Sequence, residues 1–557
     1  MNLKTFNEKF VKETYDKNGI LETFELNLAD NFNYAYDVVD EIAKEYPDKT
    51  ALVWLSNTKE EKNFTFGDLS RQSTQVANML LKKGVKKGDR VLVVLKRHWQ
   101  IWLTVLALHK IGAILIPATN QLKPHDYVYR LQTGDIKYII ATPDDNTLEN
   151  IEEALTEYDK IAEKFSVKGY KEGWVDFDSE FTKEPDTMRR IDTKVTEGCL
   201  AFFSSGTSGY PKMVLHSHSY PAAHLITAKH WQNLDDTSLH LTLSESGWGK
   251  FFWGKIYGQF MCGSAVFAYD FDRFNAADIL SMFAKYKITS LCAPPTMYRF
   301  FNNEGTEKYD LSSLRYACTA GEALPPEDFN QWQKSTGITL MEGFGQTESV
   351  LSIGNLVGTT PKEGSMGKPV PLYKCAIVDA ENNPLPNGES GEIVFECRDY
   401  ITDGIFLEYC GNEETTKATK DGKYYHTGDI AWRDEDGYLF YVGRNDDIIK
   451  SSGYRIGPFE IESVLVEHPA VLEVAITGVP DPVRGKAVKA TIVLSKGYEP
   501  SPELIKELQN HVKTKTAPYK YPRVVEFADS LPKTISGKIR RTEIRERDSG
   551  VAPVNPS

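Results

Sequence analysis

From Phe66 to Leu81 apolar residues recur at three- and four-residue intervals, which predicts an amphipathic helix with Asp68 as its capping residue. Past Gly84 the pattern becomes the continuous apolar run Arg90-Val-Leu-Val-Val-Leu95, expected as a buried strand. Helical spacing returns from Trp99 to Ile111 and gives way to the short run Ala113-Ile-Leu-Ile116. This alternation predicts βαβ units, and so a parallel sheet with helices on both faces. Residues 264–300 and 312–341 repeat the rhythm, whereas 183–196 form a polar, irregular connector. Residues 370–400 carry Gly and Pro turns around Tyr373-Lys-Cys-Ala-Ile-Val378 and Gly391-Glu-Ile-Val-Phe395, the pattern of a small β-rich subdomain. After Asp446 the pattern is that of a compact α+β unit: a helix over 458–468, strands at Leu472–Thr477 and Ala487–Val493, then a second helix. Ser501 caps that helix, Pro502 occupies its first position, and Leu504, Ile505, Leu508 and Val512 face inward. The domain boundary is expected at 444–447.

At 557 residues the chain exceeds one ordinary core, so two or more domains are expected. A net charge of −13 argues against broad nucleic-acid or membrane binding. Basic charge concentrates late, with ten Lys/Arg against four Asp/Glu between 506 and 545, so anions could be handled there. The seven cysteines are scattered without a Cys-x-x-Cys pair, as expected for free thiols in a reducing cytosol. The N-terminus lacks an apolar targeting core and no run approaches 18 apolar residues, so the expectation is a cytoplasmic protein without stable membrane insertion.

Four segments carry chemistry. The apolar run Leu200–Phe203 leads into Ser204-Ser-Gly-Thr-Ser-Gly-Tyr-Pro-Lys212. Glycines at 206 and 209 admit a ligand close to the backbone, the hydroxyls of Ser204, Ser205, Thr207 and Ser208 add donors, and Lys212 adds a point charge. The segment is expected to hold a polyphosphate. No Gly-Lys-Ser/Thr opens a helix after it, so it is not a Walker loop. An ordinary Ser/Thr/Gly turn is the competing reading. Gly343-Phe-Gly-Gln-Thr-Glu348, Tyr425-His-Thr-Gly-Asp-Ile430 and Leu531-Pro-Lys-Thr-Ile-Ser-Gly-Lys-Ile539 follow, and each alone could be a helix start, a turn or an exposed hairpin tip. Their joint order and spacing make chance occurrence very improbable.

The set resembles the adenylate-forming superfamily of acyl-CoA synthetases, peptide-synthetase adenylation domains and beetle luciferases. Gly443–Pro458, Pro480–Gly485 and Ala517–Pro522 are most similar to the medium-chain acyl-CoA synthetases. The resemblance spans about residues 35–547. It implies an α/β fold. A large N-terminal AMP-binding domain (1–443) would hold two parallel-rich αβαβα-type sheet subdomains plus the small β-rich one. A hinge (444–447), a small mobile α+β C-terminal domain (448–548) and a tail (549–557) would follow. It also implies ATP-dependent conversion of a carboxylic acid to acyl-AMP, then transfer to coenzyme A. The chemistry is sound: a carboxylate repels nucleophiles until transfer to AMP makes its oxygen a leaving group, and positioned cations stabilise the charge built at the α-phosphate.

Position by position, the resemblance places the β- and γ-phosphates on Ser204, Ser205, Gly206, Thr207, Ser208, Gly209 and Lys212, and Mg²⁺ on Thr207 and Glu348. The remaining ATP/AMP contacts fall to Gly321, Glu322 and Ala323, and to Glu342, Gly343, Phe344, Gly345, Gln346 and Thr347. Asp429 would take the ribose hydroxyls, for which a carboxylate is suited because it accepts two hydrogen bonds side by side. Arg444 would meet ribose or phosphate. Lys538 would bridge the acyl carboxylate and the α-phosphate. For coenzyme A, rotation about Asp446 would remove Lys538 and present Ser452, Gly453 and Tyr454, with Arg455, Arg484 and Gln121 as further candidates. Lys538 also resembles a lysine acetylated in related enzymes, so an acetyltransferase and a deacetylase are expected partners, on a monomer or homodimer.

Acetate-activating relatives carry a tryptophan where this chain has Gly345, which implies a longer, branched or aryl acid. Trp248 and Gly249 would line the acyl pocket with Gly345, although Trp248 also reads as a core aromatic. Glu245 is the only acid between 238 and 258, and no carrier domain follows Lys538, which disfavours amino-acid activation. An acyl-adenylate oxygenase and a non-catalytic nucleotide sensor stay as alternatives.

Overall fold

The computed structural model describes residues 2–204, 211–397, 402–451, 454–534 and 538–549, the Arg455 side chain excepted. Two large sheets take their strands from between Thr50 and Pro369, with the edge strand Glu408–Tyr409 added to one of them. One, of eight strands, has at its centre the parallel set Gly198–Ser204, Ile114–Pro117, Arg90–Val94 and Tyr138–Ala141. The other, of nine strands, has the parallel set Leu340–Phe344, Tyr316–Ala320, Ser290–Ala293, Leu239–Thr242 and Ala265–Asp270. Strands such as Val91–Leu95 are apolar throughout because helices cover both faces. The helix Gln100–Ile111 is buried along its whole length, even at Gln100, His109 and Lys110. Lys110 answers its burial by donating to Asp40 and to the Thr74 hydroxyl.

Local signals hold with small adjustments. The helix Phe66–Lys82 starts at Thr65, whose hydroxyl accepts the Asp68 N–H, and Asp68 returns the bond to the Thr65 N–H. Asp68 is thus the third helical residue of a capping box and not the cap itself. The β-rich segment extends beyond 400. Cys375–Val378 and Gly391–Glu396 join Tyr424–Arg433 and Leu439–Arg444 in a four-stranded antiparallel sheet.

From Ile449 onward the buried residues form a cluster of their own, built on Ile456, Ile461, Leu465, Ile476, Ile492, Leu508 and Val512. Its strands Val471–Asp481 and Gly485–Leu494 are longer than their apolar runs because a tight hairpin joins them. The helix Pro502–Lys515 is capped by Ser501, which accepts the Leu504 N–H.

Candidate active site

In open parallel sheets, ligand crevices lie beyond the carboxyl ends of the strands. The strand Gly198–Ser204 ends at the hydroxyl-rich stretch, and Ser204 pairs with Lys212 on the returning antiparallel strand. Its two flanks therefore pair as antiparallel strands. Ser205, Gly206, Thr207, Ser208 and Gly209 lie outside the described residues. On its flank, the exposed Lys212 holds its ammonium 4.9 Å from the centre of the Tyr409 ring. The Tyr409 hydroxyl donates to Glu348 at 2.9 Å.

Leu340–Phe344 runs into Gly345-Gln-Thr-Glu348, a turn and not a helix start. Three bonds fix it: Ser352 N–H to Phe344 O, Phe406 N–H to Glu348 O, and the His216 ring to Thr347 O at 2.8 Å. Burial raises the Glu348 carboxyl pKa, and the Tyr409 bond with the charges of Arg444 and Lys212 pulls it partly back.

Asp429 is buried and faces Arg444 across two antiparallel strands. Its carboxylate accepts from Tyr441 at 3.1 Å, from Arg444 at 3.3 Å and from the Gln346 amide. Gln346 is itself fixed, donating to Thr427 O at 2.8 Å and accepting from the Tyr425 hydroxyl. Burial raises the Asp429 pKa, while Arg444, Tyr441, Gln346 and Lys538 oppose the rise. Lys538 is exposed on a hairpin closed by Thr534 N–H to Lys538 O and Lys538 N–H to the Thr534 hydroxyl. Its charge lowers the pKa of both Asp429, on the four-stranded sheet, and Lys250, in the helix Gly249–Lys255.

Gly321 follows the strand Tyr316–Ala320 at φ +102°, where a Cβ would lie 3.0 Å from the Lys250 ammonium. Lys250 donates to Ala320 O, and burial lowers its pKa. Glu322 accepts from the Thr296 hydroxyl at 2.8 Å, and Ala323 is half-buried beside it. Gly343 lies against Trp231 and Leu351, and Phe344 is half-buried. The Glu342 carboxyl, on the opposite strand face from Gly343, accepts the Leu324 N–H at 3.2 Å and is pushed up to about 8 by burial. Nothing in that bond presents it to the Gly345–Gln346 turn.

The half-buried Trp248 precedes the helix Gly249–Lys255, and Gly249 abuts the Phe202 ring. A Cβ at Gly345 would meet Val350 O at 2.8 Å. The glycine thus serves close packing of the turn as well as an open pocket.

Of the coenzyme A candidates, Ser452, Gly453 and the Arg455 side chain lie outside the described residues. Tyr454 is exposed and stacks on Tyr519, centroids 4.0 Å apart. Arg484 lies in the 482–484 hairpin near Asp481, and Gln121 is exposed after the strand Ile114–Pro117. Asp446 is exposed in a turn, 3.8 Å from Arg444. Sequence reasoning missed Tyr409, Tyr441 and Lys250. The first two are hidden among ordinary strand aromatics, while Lys250, a cation inside an aromatic run, carried a usable signal.

Two family models match the chain: AMP-binding enzyme over residues 39–405 and AMP-binding enzyme C-terminal domain over 460–538. The chain is 39% identical to acyl-coenzyme A synthetase ACSM3, mitochondrial, of Mus musculus over 95% of its length and 92% of the relative's. It is 40% identical to acyl-coenzyme A synthetase ACSM5, mitochondrial, of Homo sapiens, covering 93% and 91%. Among solved structures, the anthranilate CoA ligase AuaEII with anthranoyl-AMP matches with a TM-score of 0.86 and 30% identity, over 94% of this chain and 98% of that one. A benzoate CoA ligase from Burkholderia xenovorans LB400 matches with 0.80 and 26%, over 92% and 100%.

Proposed function

The chain belongs to the AMP-binding enzyme family, and from that membership we infer an AMP-forming acid–coenzyme A ligase. It converts a carboxylic acid and ATP to an acyl adenylate and pyrophosphate, then passes the acyl group to the coenzyme A thiol with release of AMP. The observation that carries the reading is the buried Asp429 carboxylate held by Gln346, Arg444 and Tyr441.

Each step has a candidate group. Asp429 keeps lone pairs for the two ribose hydroxyls while Arg444 and Tyr441 hold it in orientation. Lys538 brings the acyl carboxylate and the α-phosphate together and offsets the charge that grows between them. Lys212 and the glycine-rich hairpin tip take the outer phosphates. Mg²⁺ arrives with ATP. The half-buried Glu348 suits it, being a hard oxygen ligand whose burial favours added positive charge nearby, with Thr207 as its partner. When bound, the ion adds positive charge at the phosphate oxygens. Coenzyme A then approaches along Tyr454 and Arg484 after the late hairpin withdraws.

The acid is medium-chain, branched or aryl. Support comes from the glycine at 345, the aromatic pair Phe202 and Phe252 beside Gly249, and the aryl-acid ligases among the similar structures. A panel of acids from C2 to C12, with branched and aryl members, scored for coenzyme A-dependent AMP formation, tests this. Turnover is expected with the larger acids and little with acetate. AMP formation with no member of the panel would overturn the ligase reading, and a preference for acetate would overturn the acid class.

A further inference from the structure

The acyl loop 244–249 follows the strand Leu239–Thr242 of the second sheet, yet it is gripped by residues of the first. Where the strand Arg90–Val94 ends, Lys96 adopts φ +49° and the chain turns Arg97 and His98 toward the other sheet. Arg97 is 2% exposed. Its guanidinium donates to the Glu245 carboxylate and to Phe271 O, and lies 3.9 Å from the centre of the Phe271 ring. The Arg97 carbonyl accepts from the Trp54 indole at 2.8 Å, so its backbone is fixed as well. His98 bridges Asp270, at the end of a second-sheet strand, to Asp144, just beyond a first-sheet strand. Two residues past Glu245, Gly247 leaves no room for a side chain, since a Cβ would lie 2.5 Å from Thr119 N. Thr119 follows the first-sheet strand Ile114–Pro117, so the loop is pinned at two points to the carboxyl ends of first-sheet strands.

We propose that Arg97, acting through Glu245, is a positioning residue that sets the acid specificity of the pocket. One Glu245 oxygen accepts from Arg97, which orients the carboxylate toward the first sheet. The forked guanidinium reaches Glu245 and Phe271 O at the same time, a geometry that a lysine ammonium does not reproduce. Trp248 lies three residues on, its N–H bonded to Glu245 O at 3.3 Å, so a shift of the Glu245 backbone moves the pocket wall directly. The nucleotide contacts stem from other strands and stay in place.

This inference rests on the ligase reading. The test compares wild type with Glu245→Gln, which keeps the shape and removes the charge, Arg97→Lys, and the double variant Arg97→Met/Glu245→Gln. KM and kcat are measured for ATP and for each acid of the panel. Glu245→Gln is expected to raise KM for the preferred acid about tenfold and to broaden the chain-length profile, with KM for ATP within about twofold of wild type. Arg97→Lys should fall between, and the double variant should be no worse than Glu245→Gln, because interacting partners are non-additive. An unchanged acid profile in Glu245→Gln would overturn the proposal, as would parallel changes in the ATP and acid KM values. Wild type inactive toward every acid would instead indict the ligase reading.

Discussion

At the scale of single residues, Asp429 and Glu342 show how the same burial serves opposite ends. Asp429 is ringed by a guanidinium, an amide and a hydroxyl that support its ionised form. Asp429→Asn should raise KM for ATP about 10- to 100-fold, since a hydrogen bond to a charged group contributes roughly 1.5–3 kcal/mol. The measurement is initial-rate kinetics at saturating acid, and an unchanged ATP KM would remove Asp429 from the ribose site. Glu342 accepts one backbone N–H, from Leu324, and burial dominates, so its pKa is pushed up to about 8 against 4.5 for the free group. The folded state keeps a proton that the unfolded chain releases near 4.5. Stability from this group therefore falls as pH rises from about 4.5 to 8 and levels off above that. Glu342→Gln keeps the acceptor for Leu324 N–H and removes the titration. Its unfolding free energy relative to wild type, measured by denaturant titration at each pH, should climb from pH 5 to 8 by up to about 1.4 kcal/mol per pH unit. A pH-independent difference would mean that Glu342 does not titrate in that range.

Among the elements, the proposed hinge falls in the short turn 445–447. On one side Arg444 is tied to Thr427 O and Asp429, and Asn445 N–H donates to Gly428 O, all within the four-stranded sheet region. On the other, Asp447 is held by Arg545 and Arg541 of the helix Arg541–Ser549, and Arg541 also grips Glu462. Asp446 lies exposed between these two sets of anchors, so backbone rotation there would separate them at the cost of the Asp447 and Ile448 N–H bonds to Arg444 O. Asp446→Pro fixes φ near −65°. Pyrophosphate release from acid and ATP should persist while thioester synthesis is lost, and intact thioester synthesis would refute the hinge. The periodicity found the helices and strands well. It could not find that Cys375–Val378 and Tyr424–Arg433 share one sheet, because strand partners are chosen by packing across loops of any length. Nor did the glycine-rich motif reveal that its flanks pair as antiparallel strands, since every contact of Ser204 with Lys212 is made to the Lys212 backbone, whatever its side chain.

For the whole molecule, the division of labour between the late lobe and the sheets leads to one further test. Lys538→Ala should lower acid-dependent pyrophosphate release by roughly 10²–10³. Coenzyme A transfer from a synthetic acyl adenylate should stay close to wild type, because that step needs the lysine withdrawn. Equal loss in both half-reactions would falsify the two-position scheme. The sequence alone determined the reaction class, because adenylation demands particular groups in a particular order and each leaves a short local signature: Gly-Gln-Thr-Glu, Thr-Gly-Asp and Ser-Gly-Lys. Tertiary structure alone decided which groups act together. Gln346 meets Asp429 across 83 residues, and Arg97 meets Glu245 across 148. Such pairings are written in no local pattern, because a buried charge takes whichever partner the packed sheets bring within reach.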